Sequence, residues 1–326
     1  MSSTPYWHTS FGFKNPEGTS PFRITPTDLL RYAWSRVRAM PLDVGRDLPS
    51  DHLLPTAEVK KNLLENTDTI TWLGHCAFLI KVAGITILTD PFLEGCAGSS
   101  LLRGLRRIPS PLLPEDIPPI DILLLSHGHY DHFLDSNIQR LSSKSAARCI
   151  VPLKLGDRLR SCGFQHITEL DWFKEEKINS TVITAMPAIH YSDPFFNRTL
   201  WCGYKIDFGN GVSIYFAGDS GYGSTFARDI RPYGPFSLAL VGIGSLTVSG
   251  YKRAKGHKVH SNPEEAVQIA IDTQAQNLIG MHWGTVRMGD EDQLELPKRL
   301  VVAAKEKEYP GSVSLMRIGE TRPLIF

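Results

Sequence analysis

A run of seven residues, SHGHYDH at positions 126–132, contains three histidines and one aspartate: His127, His129, Asp131 and His132. Zinc prefers nitrogen and carboxylate oxygen ligands, and a catalytic site needs several of them at one point. The run directly follows the apolar residues 122–125, which are typical of a buried strand. A loop at the end of a strand can turn alternate side chains toward one point, whereas positions i and i+2 of a helix face apart. The spacing therefore favours a metal-binding loop over four unrelated structural residues.

Three further candidate ligands each follow a segment with a strand pattern. They are His190 after residues 181–186, Asp219 after residues 212–217 and His282 after residues 277–281. Glycines beside Asp219 and His282 allow the tight backbone paths that such loops need. Because one short run cannot supply all the ligands of a two-metal site, we expect these residues to join the run at the ends of their strands.

Four other residues are weaker candidates for the same site. Asp90 ends a predicted strand, where it either orients a ligand imidazole or starts a turn before Pro91. His260 lies beside a predicted helix N-terminus, where it either contacts a leaving group or phosphate oxygen or serves in capping or packing. His75 is a candidate of the same kind, and Cys76 lies next to it in the chain. The other cysteines are expected to be small core residues.

The elements that position these residues alternate between strands and helices from residue 69 onward. Short β-branched and aromatic runs predict strands at residues 69–72, 77–82, 85–89, 122–126, around 150, 181–186, 200–208, 212–217 and 277–281. Helices are predicted at residues 135–141, 154–160, 263–273 and 293–307. The third helix has Asn262 as its N-cap and Glu265 as the partner in a capping box. Closing strands follow the last helix, and this order is typical of an α/β layered domain.

Residues 1–65 are predicted to be an extension that packs on this domain. Within it, Thr25 and Pro26 predict the start of a helix that carries an apolar stripe. The stripe comprises Leu29, Leu30, Ala33, Trp34, Val37 and Met40. It either packs on the core of the protein or lies on a membrane interface.

The composition narrows the class of partner. The formal net charge is +1, which argues against non-specific binding to nucleic acid. No apolar run approaches the ~20 residues of a membrane-spanning helix, and no signal peptide is visible. The five cysteines are odd in number and lack CxxC spacing, so we expect reduced thiols in a cytoplasmic protein. Three arginines of the long loop at residues 93–119 either meet a phosphate or anionic lipid surface or are solvated: Arg103, Arg106 and Arg107.

The whole set of candidate ligands resembles the pattern of the metallo-β-lactamase fold. The likeness rests on the HxHxDH run together with the later His190, Asp219 and His282, and it extends over about residues 66–320. The resemblance implies an α/β fold, a four-layer αββα sandwich with a metal site at one edge of its sheets. It also implies a single hydrolase domain at residues 66–326 behind the N-terminal extension.

The resemblance further implies which residues hold the metals. One metal would be bound by His127, His129 and His190, the other by Asp131, His132 and His282, and Asp219 would bridge the two. Two divalent ions are expected, with Zn²⁺ favoured and Mn²⁺ or Fe²⁺ as alternatives. Histidine at position 129, where the family's di-iron oxidoreductases have glutamate, favours a zinc hydrolase. Asp131 is a ligand first and a candidate proton shuttle second.

Within that superfamily the sequence is more similar to the N-acyl-phosphatidylethanolamine-hydrolysing phospholipase D branch and its bacterial relatives. The segments that carry this likeness are WLGH at 72–75, ILTDP at 87–91, GDSGY at 218–222, HSNPEEA at 260–266 and HWG at 282–284. The likeness implies a binuclear metal-dependent hydrolase whose metal-bridging hydroxide attacks a phosphodiester, such as that of an N-acyl phospholipid.

Two other function classes remain open. One is a lactonase or another ester or amide hydrolase of the same fold, and the other is a non-enzymatic metal-binding regulatory protein. The expected partners are a small-molecule or lipid substrate and, peripherally, a membrane surface, but no nucleic acid. The oligomeric state is left open.

Overall fold

The computed structural model of the protein describes residues 4–19, 27, 30, 49, 51–64, 67–94, 96–97, 104–105, 108–142, 146–193, 196–244, 259–286 and 291–325. The predicted helix that starts at Thr25 lies outside these residues apart from Thr27 and Leu30, which are both helical. The three arginines of the long loop also lie outside the described residues: Arg103, Arg106 and Arg107.

Two mixed sheets of seven strands each form the centre of the structure. The strands are β1 (Thr69–Gly74), β2 (Ala77–Val82), β3 (Ile85–Thr89), β4 (Cys96–Ala97), β5 (Gly104–Leu105), β6 (Ile122–Leu124), β7 (Arg148–Pro152), β8 (Ile167–Leu170), β9 (Glu175–Ile178), β10 (Thr181–Met186), β11 (Gly203–Asp207), β12 (Ser213–Phe216), β13 (Leu238–Gly242), β14 (Asn277–Met281), β15 (Ser312–Ser314) and β16 (Thr321–Pro323). The first sheet has the order β16–β1–β2–β3–β6–β7–β8, and the second has the order β15–β14–β13–β12–β11–β10–β9. The short strands β4 and β5 pair with each other.

Alternating apolar side chains bury the central strands of the first sheet on both faces. On β2, Phe78 and Ile80 belong to the core that the two sheets share, whereas Ala77 and Leu79 belong to a separate apolar cluster. The strands β3, β6 and β7 divide their side chains in the same way. Because successive side chains of a strand point to opposite faces, each of these strands contributes to two cores.

The helices cover the outer faces of the sheets. They are α1 (Thr56–Asn62), α2 (Asp135–Ser142), α3 (Gly156–Ser161), α4 (Pro263–Asp272) and α5 (Glu295–Glu306). Val59 of α1, Ile138 of α2 and Leu159 of α3 join the cluster on the outer face of the first sheet. Helices α4 and α5 pack against each other, and α4 packs on β13 and β14 of the second sheet. The predicted αββα sandwich is therefore confirmed. None of the described helices combines the length and apolar character that crossing a bilayer requires.

Helix α4 begins with the predicted capping box. The Asn262 side chain accepts a hydrogen bond from the Glu265 backbone N–H at 2.7 Å, and the Glu265 carboxylate accepts one from the Asn262 backbone N–H at 3.0 Å. Pro263 occupies the first turn, where its missing N–H costs no helix hydrogen bond. The box fixes the start of α4 directly after the segment that contains His260.

The predicted elements agree with the structure to within three residues at their ends. The prediction missed helix α1 and strands β4, β5, β8, β9 and β13. Strands β8 and β9 lie at the ends of their sheets, and their partly exposed polar side chains give no clear apolar alternation. Strand β13 is a continuous apolar run, which periodicity alone cannot assign to a strand or a helix.

The described parts of the N-terminal segment contact the domain. Val59 is fully buried, and Leu53 forms a β-bridge with Ile318. Further upstream, the Trp7 indole donates a hydrogen bond to Asp171 Oδ1 at 2.8 Å. Residues 51–64 thus share a core with the sandwich, while the domain boundary at residue 65 stays a prediction.

Candidate metal centre

Four loops at the ends of strands bring the seven predicted ligands together. The run at 127–132 follows β6 of the first sheet, and three ligands follow strands of the second sheet: His190 after β10, Asp219 after β12 and His282 after β14. All seven are buried apart from His129, which is partly exposed. Both sheets therefore contribute side chains to one cluster.

The loops from the two sheets approach each other closely at Gly218. Its φ is +57°, and a Cβ there would lie 2.6 Å from the Cβ of Ser126. Any larger residue would push the two loops apart. Glycine at this position therefore lets Asp219 lie beside the ligands that follow β6.

Three imidazoles form the first ligand set. His129 Nδ1 lies 3.0 Å from His127 Nε2 and 3.1 Å from His190 Nε2, and one ligand atom from each ring lies within 4.8 Å of the others. Nitrogens bound to one tetrahedral zinc ion at about 2.0–2.1 Å stand about 3.3–3.4 Å apart. The set is thus close to the geometry that such an ion requires.

The second ligand set combines imidazoles and carboxylates. Asp219 lies 3.2 Å from His132 Nε2 through Oδ2 and 3.3 Å from His282 Nε2 through Oδ1. Asp131 Oδ2 lies further away, at 3.6 Å from His132 Nε2 and 3.8 Å from His282 Nε2. Nitrogen and carboxylate oxygen ligands of this kind suit zinc and other first-row divalent ions.

The Asp219 carboxylate lies between the two sets. Its Oδ2 atom, 3.2 Å from His132 Nε2, is also 3.8 Å from both His127 Nε2 and His190 Nε2. The structure therefore places Asp219 where the resemblance puts a bridging ligand.

Two buried polar atoms test whether a cation fits here. Within the described part of the chain, His132 Nε2 and Asp219 Oδ2 have no hydrogen-bond partner. Most buried polar atoms in native proteins have one, because leaving such an atom unsatisfied is costly. A divalent cation would satisfy both atoms at once, so the residues present fit a metal.

Asp90 orients one ligand from each set. Its Oδ2 accepts hydrogen bonds from His132 Nδ1 at 2.7 Å and from Ser126 Oγ at 2.6 Å. Since Ser126 Oγ donates to Asp90, it accepts from His127 Nδ1, which lies 2.9 Å away. With Nδ1 engaged in this way, both imidazoles present Nε2 to the centre. Of the two sequence-based interpretations of Asp90, the structure supports the one in which it orients a ligand.

Other hydrogen bonds fix the remaining ligands. His190 Nδ1 donates to the carbonyl oxygen of Val259 at 2.9 Å, which leaves its Nε2 for the first set. His75 Nε2 donates to Asp131 Oδ2 at 2.9 Å. His75 thus holds a candidate ligand, which is a different role from the contact with a leaving group that the sequence suggested.

Burial keeps the first set neutral. It lowers the pKa of His127 and His190 well below the ordinary histidine value, and it also lowers the pKa of His129. Metal ions bind the deprotonated nitrogen of a neutral imidazole. The first set is therefore in the protonation state that a metal needs.

The second set is a group of buried ion pairs. Burial alone would lower the pKa of His132 and His282, but the carboxylates of Asp219 and Asp131 hold it well above the ordinary value for His132 and raise it to about 9 for His282. Burial likewise opposes ionisation of the two aspartates, yet the facing imidazoles hold their pKa well below the usual range. A divalent cation would displace the protons that these imidazoles carry.

Two more candidates lie at the same cluster. His260 Nδ1 is 3.6 Å from Asp219 Oδ2, and burial lowers the pKa of His260 to about 4. The Cys76 thiol lies 3.9 Å from Asp219 Oδ1 and is fully buried.

Two contributors to the site were not predicted from the sequence, namely the Ser126 hydroxyl and the backbone carbonyl of Val259. Their roles depend on tertiary contacts that no local sequence pattern reveals.

The chain matches known proteins over most of its length. Residues 86–283 match the family model of the β-lactamase superfamily domain. The chain is 32% identical over 265 residues to the uncharacterized protein Rv0906 of Mycobacterium tuberculosis, an alignment that covers 78% of this chain and 69% of that protein. It is 32% identical over 243 residues to the N-acyl-phosphatidylethanolamine-hydrolyzing phospholipase D 1 of Caenorhabditis elegans, covering 70% of this chain and 67% of that protein.

A solved structure shows the same fold. Igni18, a metallo hydrolase of the archaeon Ignicoccus hospitalis, superposes with a TM-score of 0.58 at 22% identity, covering 80% of this chain and 100% of that chain. The family model spans more than half of the present chain and includes all seven candidate ligands. The chain therefore belongs to the metallo-β-lactamase superfamily and is a metal-dependent hydrolase of that fold.

Proposed function

We propose that the protein holds two divalent metal ions, with Zn²⁺ as the favoured metal, and that it hydrolyses a phosphodiester bond of an N-acyl phospholipid. The observation that carries the proposal is the Asp219 carboxylate, whose Oδ2 lies within 3.8 Å of ligand nitrogens from both sets. One carboxylate within reach of two ligand sets is what a binuclear site requires. The relationship to the phospholipase D of Caenorhabditis elegans supports the phosphodiester substrate.

The chain's own residues would supply orientation and hydrogen bonds around that point. When bound, a pair of divalent ions lowers the pKa of water and stabilises negative charge on a phosphoryl oxygen. His260, beside Asp219, can donate one hydrogen bond from its ring to a phosphate or leaving-group oxygen. Asp131, held by His75, is a ligand first and a proton acceptor second.

Metal analysis and a substrate panel test this proposal. The protein is stripped with a chelator, reloaded with Zn²⁺ and analysed for metal content, and we expect two ions per chain. It is then given an N-acyl phosphatidylethanolamine in mixed micelles, bis-p-nitrophenyl phosphate, a series of lactones and nitrocefin. We expect the phospholipid to yield an N-acylethanolamine and a phosphatidic acid, with water adding across the cleaved P–O bond.

Each other outcome counts against a stated part of the proposal. One bound ion per chain would overturn the binuclear site. Turnover of lactones or nitrocefin without phosphodiester cleavage would overturn the substrate and favour another hydrolase of the same fold. Full metal loading without turnover of any substrate would favour a non-enzymatic metal-binding protein.

We also propose that an aromatic face beside the site contacts an anionic bilayer. Phe11 is 74% exposed and Phe196 is 49% exposed, and their ring centroids lie 6.5 Å apart. The Arg198 guanidinium lies 4.8 Å from the Phe196 ring. Asn15, four residues after Phe11, accepts a hydrogen bond from the backbone of His190 at 2.9 Å, so this face adjoins the first ligand set. Exposed aromatic rings with a cationic neighbour are typical of interfacial surfaces.

Vesicle flotation tests the membrane contact independently of turnover. We expect the wild type to float at low salt with vesicles that contain phosphatidylglycerol, and the double variant Phe11→Ser, Phe196→Ser to lose this binding. The matched control is Val301→Ser, Val302→Ser, because these side chains are 51% and 53% exposed on α5. No flotation of the wild type, or equal flotation of all three proteins, would overturn the proposal.

A further inference from the structure

The thiol of Cys76 lies inside the metal centre but belongs to neither predicted ligand set. Its Sγ is 3.9 Å from Asp219 Oδ1. With His132, Asp219 and His282 it forms a cluster in which one ligand atom from each residue lies within 4.8 Å of every other, and all four residues are buried. A soft sulfur donor thus faces two imidazole nitrogens and one carboxylate.

The distances in this cluster are near those of a tetrahedral site. With zinc–sulfur bonds of about 2.3 Å and zinc–nitrogen or zinc–oxygen bonds of about 2.0–2.1 Å, neighbouring ligand atoms stand about 3.3–3.6 Å apart. The Asp219 carboxylate is 3.2 Å from His132 Nε2 through Oδ2 and 3.3 Å from His282 Nε2 through Oδ1. The distance from Cys76 Sγ to Asp219 Oδ1 is longer, at 3.9 Å, and all four ligand atoms lie within 4.8 Å of one another, so the side chains must draw together to bind one ion.

The backbone around Cys76 is held so that its side chain points inward. His75 has a φ of +54°, and its carbonyl oxygen accepts hydrogen bonds from the Trp72 indole at 3.0 Å and from the His282 backbone N–H at 3.1 Å. The carbonyl oxygen of Cys76 accepts one from Thr89 Oγ1 at 2.7 Å. These bonds tie the β1–β2 turn to the ligand loop after β14, and they fix the thiol beside the second ligand set.

The surroundings of Cys76 differ from those of a core cysteine. In the described part of the molecule, His132 Nε2 and Asp219 Oδ2 are buried without a hydrogen-bond partner, and both face this cluster. Cys202 is equally buried, but its Sγ lies 3.8 Å from the backbone carbonyl of Ser126. Of these two buried thiols, only that of Cys76 belongs to a cluster that could hold an ion.

We propose that Cys76 is a ligand of the second metal ion, together with His132, Asp219 and His282. The inference rests on the proposed function, because it requires an ion at the second ligand set. Binding forms a metal–sulfur bond and releases the thiol proton to solvent. Asp131, the remaining member of the second set, lies further from the two imidazoles and accepts a hydrogen bond from His75.

Cobalt substitution tests this assignment with a readout other than activity. The metal-free protein is loaded with two equivalents of Co²⁺, and its absorption spectrum and metal content are measured. We expect the wild type to show a near-ultraviolet thiolate-to-cobalt charge-transfer band. The band should persist in Cys202→Ala and disappear in both Cys76→Ser and Cys76→Ala. We also expect the second ion to dissociate more easily from the Cys76 variants, by at least ~10-fold, since even the loss of a partner that orients a ligand costs that much.

The outcomes separate this inference from the proposed function. Two bound ions without a charge-transfer band in the wild type would overturn the assignment of Cys76 and leave the binuclear site standing. Fewer than two bound ions in the wild type would overturn the binuclear site itself. A band that survives in Cys76→Ala would assign the thiolate to another cysteine. Circular dichroism of the metal-free variants shows whether they fold. If Cys76→Ala does not fold, the test relies on Cys76→Ser.

Discussion

Replacing Asp90 with asparagine isolates what one buried carboxylate contributes to metal binding. Asp90 Oδ1 accepts a hydrogen bond from the Ser126 backbone, while Oδ2 accepts from His132 Nδ1 at 2.7 Å and from Ser126 Oγ at 2.6 Å. Asparagine has nearly the same shape and can keep the first bond. Its amide N–H₂ group, however, would then face two donors. Either both bonds of Oδ2 are lost, or His132 carries its proton on Nε2, where it blocks metal binding.

The expected losses follow from these bonds. Removing a hydrogen-bond partner that orients a metal-ligating imidazole costs ~10–100-fold in affinity, which is about 1.4–2.8 kcal/mol at about 1.4 kcal/mol per tenfold. In the metal-free protein, two hydrogen bonds to a charged group, each with a net value of about 1.5–3 kcal/mol, give a loss of about 3–6 kcal/mol in the free energy of unfolding. The second figure is an upper bound, because asparagine can turn and recover part of the loss.

Two measurements check the reasoning. Competition with a chromophoric chelator gives the Kd of each ion, and urea unfolding of the stripped proteins gives the stability. The matched control is Asp121→Asn, since Asp121 also accepts a backbone hydrogen bond, from Thr86 at 2.8 Å, but is exposed and lies away from the centre. Wild-type affinity for both ions in Asp90→Asn would refute the orienting role. An equal loss in Asp121→Asn would show that the effect is not specific to the site.

Three further predictions concern single residues. His129→Ala and Asp219→Ala should abolish metal-dependent turnover while the protein remains soluble, and metal analysis should find fewer than two ions; normal metal content with normal turnover would contradict the ligand assignment. Gly284→Ala should destabilise the protein by more than Gly84→Ala in urea unfolding, because both have a positive φ but only the Cβ at 284 would meet an imidazole nitrogen, at 2.8 Å. The Gly84 variant should be destabilised only by backbone strain, which is about 1–2 kcal/mol. Equal losses of stability in the two variants would show that the His52 imidazole moves aside freely. Asn262→Ala should lower the free energy of unfolding by about 1 kcal/mol through loss of the α4 cap, and an unchanged urea midpoint would argue against the capping box.

The strands that carry the ligands could be predicted because their sequence patterns are local. The run Thr181–Met186 is rich in β-branched and apolar residues, and the polar residues that follow such a strand must lie beyond its end. Strands β8 and β9 could not be predicted in this way, because they lie at the ends of their sheets and are mixed in polarity and only partly buried. The sandwich itself followed from resemblance rather than from periodicity.

The partners of the ligands could not be predicted, because they are set by tertiary contacts. Asp90 is far from His132 in the chain, and only the parallel pairing of β3 with β6 brings the ends of the two strands together. Likewise, the sequence distinguishes Cys76 from the other cysteines only by its place next to His75. Its position depends on the turn between β1 and β2 and on the hydrogen bond from the ligand loop after β14. A single sequence contains the residue types but not these distances.

The origin of the ligands in two sheets has a consequence for how long the folded chain persists. An ion held by the loop after β6 and by the loops after β10, β12 and β14 is a cross-link between the two halves of the sandwich. As with a disulfide, the two halves can separate in only two ways. Either the cross-link breaks, or the unfolded chain keeps the loops that the ion closes, which lowers its entropy. Chelation would therefore shorten the lifetime of the native state, in addition to stopping catalysis.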